Sequence, residues 1–493
     1  MSKDCKLIRS RLLLPLDEKI GLATRIEDGY VLIEGDIIKE VGAFTPEIGK
    51  RITAAAGERL EIIGATGEKD AKGEKIPMLD AVVLPGFVKA HGHDHESPII
   101  GVAKDEPLTA WLDHAVNAFT GFLLEKREEL KRVFGASPHL VTYVKARLDD
   151  IYYGITSALT HHCNFNKYNL DDLVEANSRA GTRIVIAVGG QDRNYDPRIL
   201  DTPEIAVKRL DDYFSRFRGE KRVGIIPGPD QDFSNSDAML RALKRWARDH
   251  GTLIHIHSSE EPETTRWFYR KYHLSPVQYL HRAGFLDEKA ILAHQVNNTL
   301  IDLAILEETG AAVVHNPLAN TILGSGMPPI LEMMERGIRV AISTDGSGSA
   351  DNQNMLAAAR LASQYQKALH QNARLLPAQK VLEMVTVVPA RILGLNSGSL
   401  APGKDADLIA VDLRRPNLTP TRRDNVVENL IWASDGSEIR WVIAGGRILK
   451  DDYRFTTLDE SRIKEDVQRL SELMMEHKAG LPEVRATGAR REE

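Results

Sequence analysis

The sequence predicts an α/β protein: a (β/α)8 TIM barrel with a small β-sandwich domain built from both chain ends. Between about residues 81 and 395, short apolar strands alternate with longer amphipathic helical stretches, the pattern of a parallel sheet wound with helices. Eight such strands can be marked, as a closed barrel requires. Outside that span both chain ends show strand-and-turn texture, and 493 residues are enough for a ~250-residue barrel and a smaller companion.

Residues 1–80 carry short apolar runs, Tyr30-Val-Leu-Ile-Glu and Asp36-Ile-Ile-Lys-Glu-Val, with Gly35 marking a hairpin turn between them. The Gly-, Lys- and Glu-rich stretch Lys50 to Lys75 reads as a β excursion or surface loop. Barrel strands are expected over Ala81 to Val88, Ile155 to Thr160, Arg183 to Val188, Val223 to Ile226, Thr252 to His257, Ala290 to His294, Ala311 to His315 and Ile338 to Ser343. Helices such as Asp237 to His250 and Gln353 to His370 fall between them. Residues 396–456 return to strands and complete the composite β unit with 1–80, leaving 81–395 to the barrel. Residues 457–493 read as a terminal helix, Thr457 to His477, followed by a flexible polar tail.

Composition narrows the function classes. The formal charge of −6 and the lack of a long basic run argue against a nucleic-acid partner. Two cysteines, Cys5 and Cys163, leave no disulfide framework and fit a reducing, cytoplasmic setting. The only early apolar run, Leu12 to Leu16, is broken by Pro15 and too short for a secretory signal, and no stretch approaches the ~18 apolar residues of a membrane span. No membrane partner is expected, and self-association is left open.

The chemistry gathers at strand ends. His91 and His93, two apart after Pro85-Gly-Phe-Val-Lys-Ala, point the same way because strand side chains alternate faces. Neutral imidazole is a common ligand of Zn(II) and Fe(II), although on spacing alone two hydrogen-bonded histidines fit as well. Position favours chemistry, since barrel active sites form where strands end. His255-Ile-His257-Ser-Ser-Glu260, Ala293-His294 and Thr344-Asp345-Gly346 close three further strands, and a carboxylate placed like Asp345 suits a site beside a cation better than a core.

Taken in order, several segments resemble the amidohydrolase superfamily, in its branch of aminohydrolases and chlorohydrolases of nitrogen heterocycles. They are Leu84-Pro-Gly-Phe-Val-Lys-Ala-His-Gly-His, Pro107-Leu-Thr-Ala-Trp-Leu, Gly154-Ile-Thr-Ser, His257-Ser-Ser-Glu, His315-Asn-Pro, Thr344-Asp-Gly and Gly398-Ser-Leu-Ala-Pro-Gly-Lys-Asp-Ala-Asp-Leu. The resemblance implies one divalent ion, Zn(II) or Fe(II), held by His91, His93, His257 and Asp345. It implies a proton shuttle at Glu260, a second histidine of the site at His294, and catalysis by these two with Asp345. Binuclear relatives use a carboxylated lysine at the third or fourth strand end. Those ends here, Ala187-Val-Gly-Gly-Gln and Ile226-Pro-Gly-Pro-Asp, hold none. The implied reaction is hydrolytic deamination of an amino-substituted nitrogen heterocycle, with metal-bound hydroxide attacking the C–NH2 carbon and ammonia leaving. The rivals are hydrolysis of another C–N, C–Cl or amide bond in a related ring, and an inactive scaffold of the same fold.

Other residues carry weaker signals. Trp111 matches an aromatic that helps close the family's pocket, or packs a helix. His95, His114, His139, His161, His162, His250, His273, His281 and His370 read as surface or packing residues. Of the adjacent His161 and His162 at most one faces inward, and His162 is taken as the substrate contact. His255 shares a face with His257 one layer deeper and reads as a hydrogen-bonded structural residue. Pro229-Asp230 departs from the Pro-His pair of several relatives, so Asp230 either meets a substrate amino edge or caps a turn.

Overall fold

A computed structural model describes residues 4–103 and 105–479. Eight parallel strands form two four-stranded sheets. The first holds Phe87–Lys89, Ile155–His162, Arg183–Gly190 and Val223–Pro229, and the second Ile254–Ser258, Ala290–His294, Ala312–His315 and Val340–Ile342. A parallel bridge between Gln231 and His257 links the last strand of one sheet to the first of the other. At the opposite edges, Ser343 Oγ donates to the His91 carbonyl at 2.6 Å.

The strands are apolar on both faces, as parallel strands flanked by helices must be. Val88, Leu159, Val185, Ile226, Ile291, Val314 and Ala341 form one buried cluster. Alternating neighbours such as Phe87, Ile184, Ile186, Ile256, Leu292 and Ile342 join the larger cluster that includes the surrounding helices. Polar groups accumulate at one common end of the strands, the C-terminal end, where parallel order brings all eight exits together.

Both chain ends supply a second sheet. Its hydrogen bonding runs unbroken through Arg454–Phe455, Arg447–Asp451, Ile439–Ala444, Leu408–Asp412, Leu79–Pro85, Cys5–Leu13, Ile26–Glu34 and Ile37–Ala43, with Leu60–Ile62 paired to Cys5–Leu13. Gly35 takes φ 64° at the hairpin between Ile26–Glu34 and Ile37–Ala43.

Two expectations are corrected. The single strand over Ala81 to Val88 is two strands. Leu79–Pro85 pairs with the composite sheet, and only Phe87–Lys89 joins the parallel set. Gly86 lies between them, at a position where a side chain would strike Thr156. The stretch read as a β excursion or loop does hold the strand Leu60–Ile62, but its start is the end of a helix, Pro46–Ala56, begun by the Thr45 hydroxyl, which accepts from the Ile48 amide at 3.3 Å, and by Pro46 in the first turn. Its buried residues, Gly49, Ile52 and Ala56, mark the apolar side that the Lys and Glu content obscured.

The helices read over Asp237 to His250 and Gln353 to His370 occur as Asp237–Asp249 and Met355–Leu369, and the last helix is Glu460–Ala479. The tail expected over 480–493 lies outside the described residues. Among the described residues no helix is long and apolar enough to cross a membrane.

Candidate active site

Six strand ends deliver the site. His91 and His93 follow Phe87–Lys89, His161 and His162 end Ile155–His162, Asp230 follows Val223–Pro229, and His257 lies in Ile254–Ser258. His294 ends Ala290–His294, and Asp345 follows Val340–Ile342. His294 and Asp345 have φ of 74° and 75°, a left-handed backbone that costs of order 1–3 kcal/mol without glycine. Gly346 N donates to Asp345 Oδ1 at 2.9 Å and Gln353 Nε2 to the Asp345 carbonyl at 3.1 Å, which helps hold that conformation. Gly346 carries no side chain where one would collide with Glu96.

The imidazoles converge on one point. His93 Nε2 lies 3.1 Å from His257 Nε2, and Asp345 Oδ1 lies 3.1 Å from His91 Nε2 and 3.5 Å from His93 Nε2. His93 Nδ1 donates to the His161 carbonyl at 3.0 Å, and His257 Nδ1 to the Asp230 carbonyl at 2.6 Å. A carbonyl can only accept, so each Nδ1 carries the proton and each Nε2 presents a bare lone pair. Two lone pairs 3.1 Å apart beside a carboxylate repel one another unless a cation lies between them. Ligands about 2.0–2.1 Å from one ion stand roughly 3–3.4 Å apart, so the donor set fits a divalent metal. Burial, above all, keeps His91 and His93 well below the usual histidine range, and His257 is also lowered. These are the neutral rings a metal site requires.

A second layer surrounds this point. His294 Nε2 is 3.7 Å from both Asp345 Oδ2 and Glu260 Oε1, and its Nδ1 donates to Asn320 Oδ1 at 2.8 Å. Burial first, and Asp345 second, push Glu260 well above the ordinary carboxyl range; the same two causes raise Glu96. Glu96 Oε2 accepts from the Ser349 amide at 3.0 Å. Burial alone would raise Asp230, but the His161 and His257 rings and Tyr195 outweigh it and hold that carboxyl below its usual range.

His93, His257, Glu260, His294, Asp345, Asp230 and Trp111 all line one cavity at the strand ends. The Trp111 indole also donates to the Gly348 carbonyl at 3.2 Å, so it packs the loop and walls the cavity together. A π-helical segment, Leu112–Asn117, follows it and adds Leu112 and Val116 to the wall. Among the described residues Asp230 caps no turn by hydrogen bond; its Oδ1 lies 3.3 Å from His161 Nε2, and its buried Oδ2 makes no hydrogen bond with them.

His162 does not fit its expected role as a substrate contact. It points to Tyr143, whose hydroxyl is 3.1 Å from His162 Nε2, and is absent from the cavity wall, because alternation on the strand gives the inward face to His161. His255 lies as expected beneath the cluster, its Nε2 3.1 Å from His91 Nδ1. Sequence reasoning passed over Glu96, Asn164, Tyr195 and Gln231 and read His95 as a surface or packing residue; all five also line the cavity. The alternation His91, His93, His95 was the available signal for one of them. The others sit in loops whose approach to the cavity has no local pattern.

A model of the amidohydrolase family matches residues 82–449. The 5-methylthioadenosine/S-adenosylhomocysteine deaminase of Moorella thermoacetica is 31% identical over 451 residues, covering 90% of this chain and 99% of the relative. The 5'-deoxyadenosine deaminase of Methanosarcina mazei is 29% identical over 468 residues, 94% of this chain and 97% of its own. Among solved structures, a zinc complex of atrazine chlorohydrolase from Arthrobacter aurescens TC1 aligns with a TM-score of 0.81 at 22% identity, covering 94% of this chain and 100% of that one, a likeness of fold.

Proposed function

The chain belongs to the amidohydrolase family, and from that premise we propose that it hydrolytically deaminates an amino-substituted nitrogen heterocycle, with an adenosine derivative as the leading candidate. The observation that carries the reading is the convergence of three neutral imidazoles and one carboxylate on a single point in a cavity that also holds a raised carboxyl, Glu260. The names of the two relatives support the adenosine class.

In this reading His91, His93, His257 and Asp345 hold one divalent ion, zinc in first place. When bound, such an ion supplies Lewis acidity that brings the pKa of water toward about 7. Asp345 accepts one proton from the attacking water, and His294, with Nδ1 engaged by Asn320, turns its bare Nε2 to orient that water. Glu260, whose protonated form burial favours, passes its proton to the ring nitrogen beside the attacked carbon. The adduct's hydroxyl proton then restores Glu260, and Asp345 returns its proton to the departing amine. Water and an amino-heterocycle thus become a ring carbonyl and ammonia. Asp230 lines the same cavity with an Oδ2 that makes no hydrogen bond among the described residues, so its carboxylate suits an amino or hydroxyl edge of the substrate, while Trp111 covers the ring.

This chemistry sits on a closed (β/α)8 barrel over about 87–395, a reading supported by the two four-stranded sheets and the contacts that join their edges. The composite sheet of both chain ends packs as a small β-sandwich, supported by separate apolar clusters around Ile8 and Leu7, neighbours that face opposite ways on one strand. The decisive experiment incubates metal-replete protein with 5'-substituted adenosines, guanine, pterins and aminotriazines, and with chlorinated analogues, measuring ammonia and chloride. Ammonia from the adenosine series is expected; chloride release with no ammonia from any amine would overturn deamination.

A further inference from the structure

Two of the three converging imidazoles are held by backbone carbonyls, His93 by that of His161 and His257 by that of Asp230. His91 differs: its Nδ1 faces another imidazole, His255 Nε2, at 3.1 Å. His255 Nδ1 in turn lies 3.0 Å from His161 Nδ1, and His161 Nε2 lies 3.3 Å from Asp230 Oδ1. The three rings are fully buried and Asp230 is 2% exposed.

We propose that Asp230, His161 and His255 form a one-way relay that fixes His91 in the tautomer with a bare Nε2, making them positioning residues for the metal site. A neutral imidazole has one donor and one acceptor nitrogen, and an ionised carboxylate only accepts. Starting at Asp230, the negative carboxylate 3.3 Å away favours a proton on the facing His161 Nε2 by electrostatic attraction, and His161 therefore accepts at Nδ1. His255 then donates through Nδ1 and accepts at Nε2, so His91 donates through Nδ1. Starting from the other end, a His91 that offers Nε2 to a cation dictates the same direction at every link. The two requirements agree only because the chain contains these rings in these orientations; a ring turned over at any member puts a carbon in place of a nitrogen and breaks the relay.

Two residues then serve the whole imidazole set. His161 holds His93 through its carbonyl and His91 through its ring, and Asp230 holds His257 through its carbonyl and His91 through its carboxylate. That arrangement gives Asp230 a role its place after the fourth strand does not announce, and leaves Oδ2 without a hydrogen bond among the described residues. Partners beyond the ligands that set tautomer and ring angle are typically worth 10- to 100-fold in metal affinity.

The relay rests on the ligand assignment proposed above, and the test separates the two. Zinc affinity is measured by chelator competition on the full chain, wild type and His255→Leu, His255→Gln and Asp230→Asn variants. His255→Leu is expected to bind zinc about 10- to 100-fold more weakly. His255→Gln, whose amide can accept from His91 and donate to His161, is expected to recover much of that loss. Wild type that takes up no stoichiometric zinc refutes the ligands and the relay with them. Wild type that binds zinc while His255→Leu binds within twofold of it, or a His255→Gln no better than His255→Leu, refutes the relay alone. Ring-nitrogen NMR of zinc-loaded wild type decides independently of whether a variant folds: protons are expected on Nδ1 of His91 and His255 and on Nε2 of His161. A proton on Nε2 of His255 overturns the relay.

Discussion

Replacing Arg147 by Met is expected to destabilise the protein by about 3–5 kcal/mol, the cost of breaking a buried ion pair by removing one partner. Arg147 is fully buried, with Nη2 2.6 Å from Asp94 Oδ1 and 2.9 Å from Asp150 Oδ2. Lys89 Nζ lies 2.9 Å from Asp150 Oδ1 and 2.9 Å from Gln353 Oε1, so two cations face two carboxylates in a cluster without net charge. Asp94 follows His93 directly, and Gln353 donates to the Asp345 carbonyl, so the cluster braces two of the strand ends that carry the site. Methionine fills much of the arginine volume but leaves two buried carboxylates facing Lys89 alone. Against a usual folding free energy of about 5–15 kcal/mol, that loss is a large fraction. Adding Asp94→Asn removes the orphaned charge and is expected to recover at least about 1 kcal/mol, a non-additive pair. Urea denaturation followed by circular dichroism measures both. An Arg147→Met protein within about 1 kcal/mol of wild type, or a double variant no more stable than the single one, would refute the reasoning.

The remaining predictions concern the site. Glu260→Gln keeps the shape of the side chain and removes its transferable proton, so metal content should be unchanged while kcat falls by about 10²- to 10⁴-fold, or roughly 2.7–5.5 kcal/mol of barrier; elemental analysis with steady-state kinetics checks it, and full activity would remove Glu260 from the proton path. Burial first and Asp345 second raise Glu260, so its protonated form survives to higher pH than that of an ordinary carboxyl, and kcat/KM should fall as pH rises through the elevated pKa; the pH profile of wild type measures that alkaline limb, and a profile with no such limb would count against the shuttle. His93→Ala and Asp345→Ala should each abolish stoichiometric metal binding, read by elemental analysis after dialysis; retention of a full equivalent by either would exclude that residue as a ligand.

Much of the site was legible because barrel chemistry sits at strand ends, and strand ends are marked in sequence by short apolar runs meeting polar residues. His91, His93, His257, Glu260, His294 and Asp345 each sit at such a junction. The pair His161 and His162 was not legible in the same way: alternation says that one faces inward, but which one depends on how the strand is rotated between its neighbours. The helix Pro46–Ala56 was hidden by its charged residues, although Thr45-Pro46 is a sound helix start. The division at Gly86 was equally hidden, because two strands bound for different sheets read as one apolar run.

From sequence alone came the parallel α/β order, the composite β unit and the residues able to hold a cation, because periodicity and residue chemistry are local properties that survive without coordinates. Tertiary structure decided that Asp230, His161 and His255 stand in line with His91, and that Glu96 reaches the same cavity. A hydrogen bond depends on a separation held to within a few tenths of an ångström between residues far apart in the chain. Such separations are set only when every strand is placed against its neighbours.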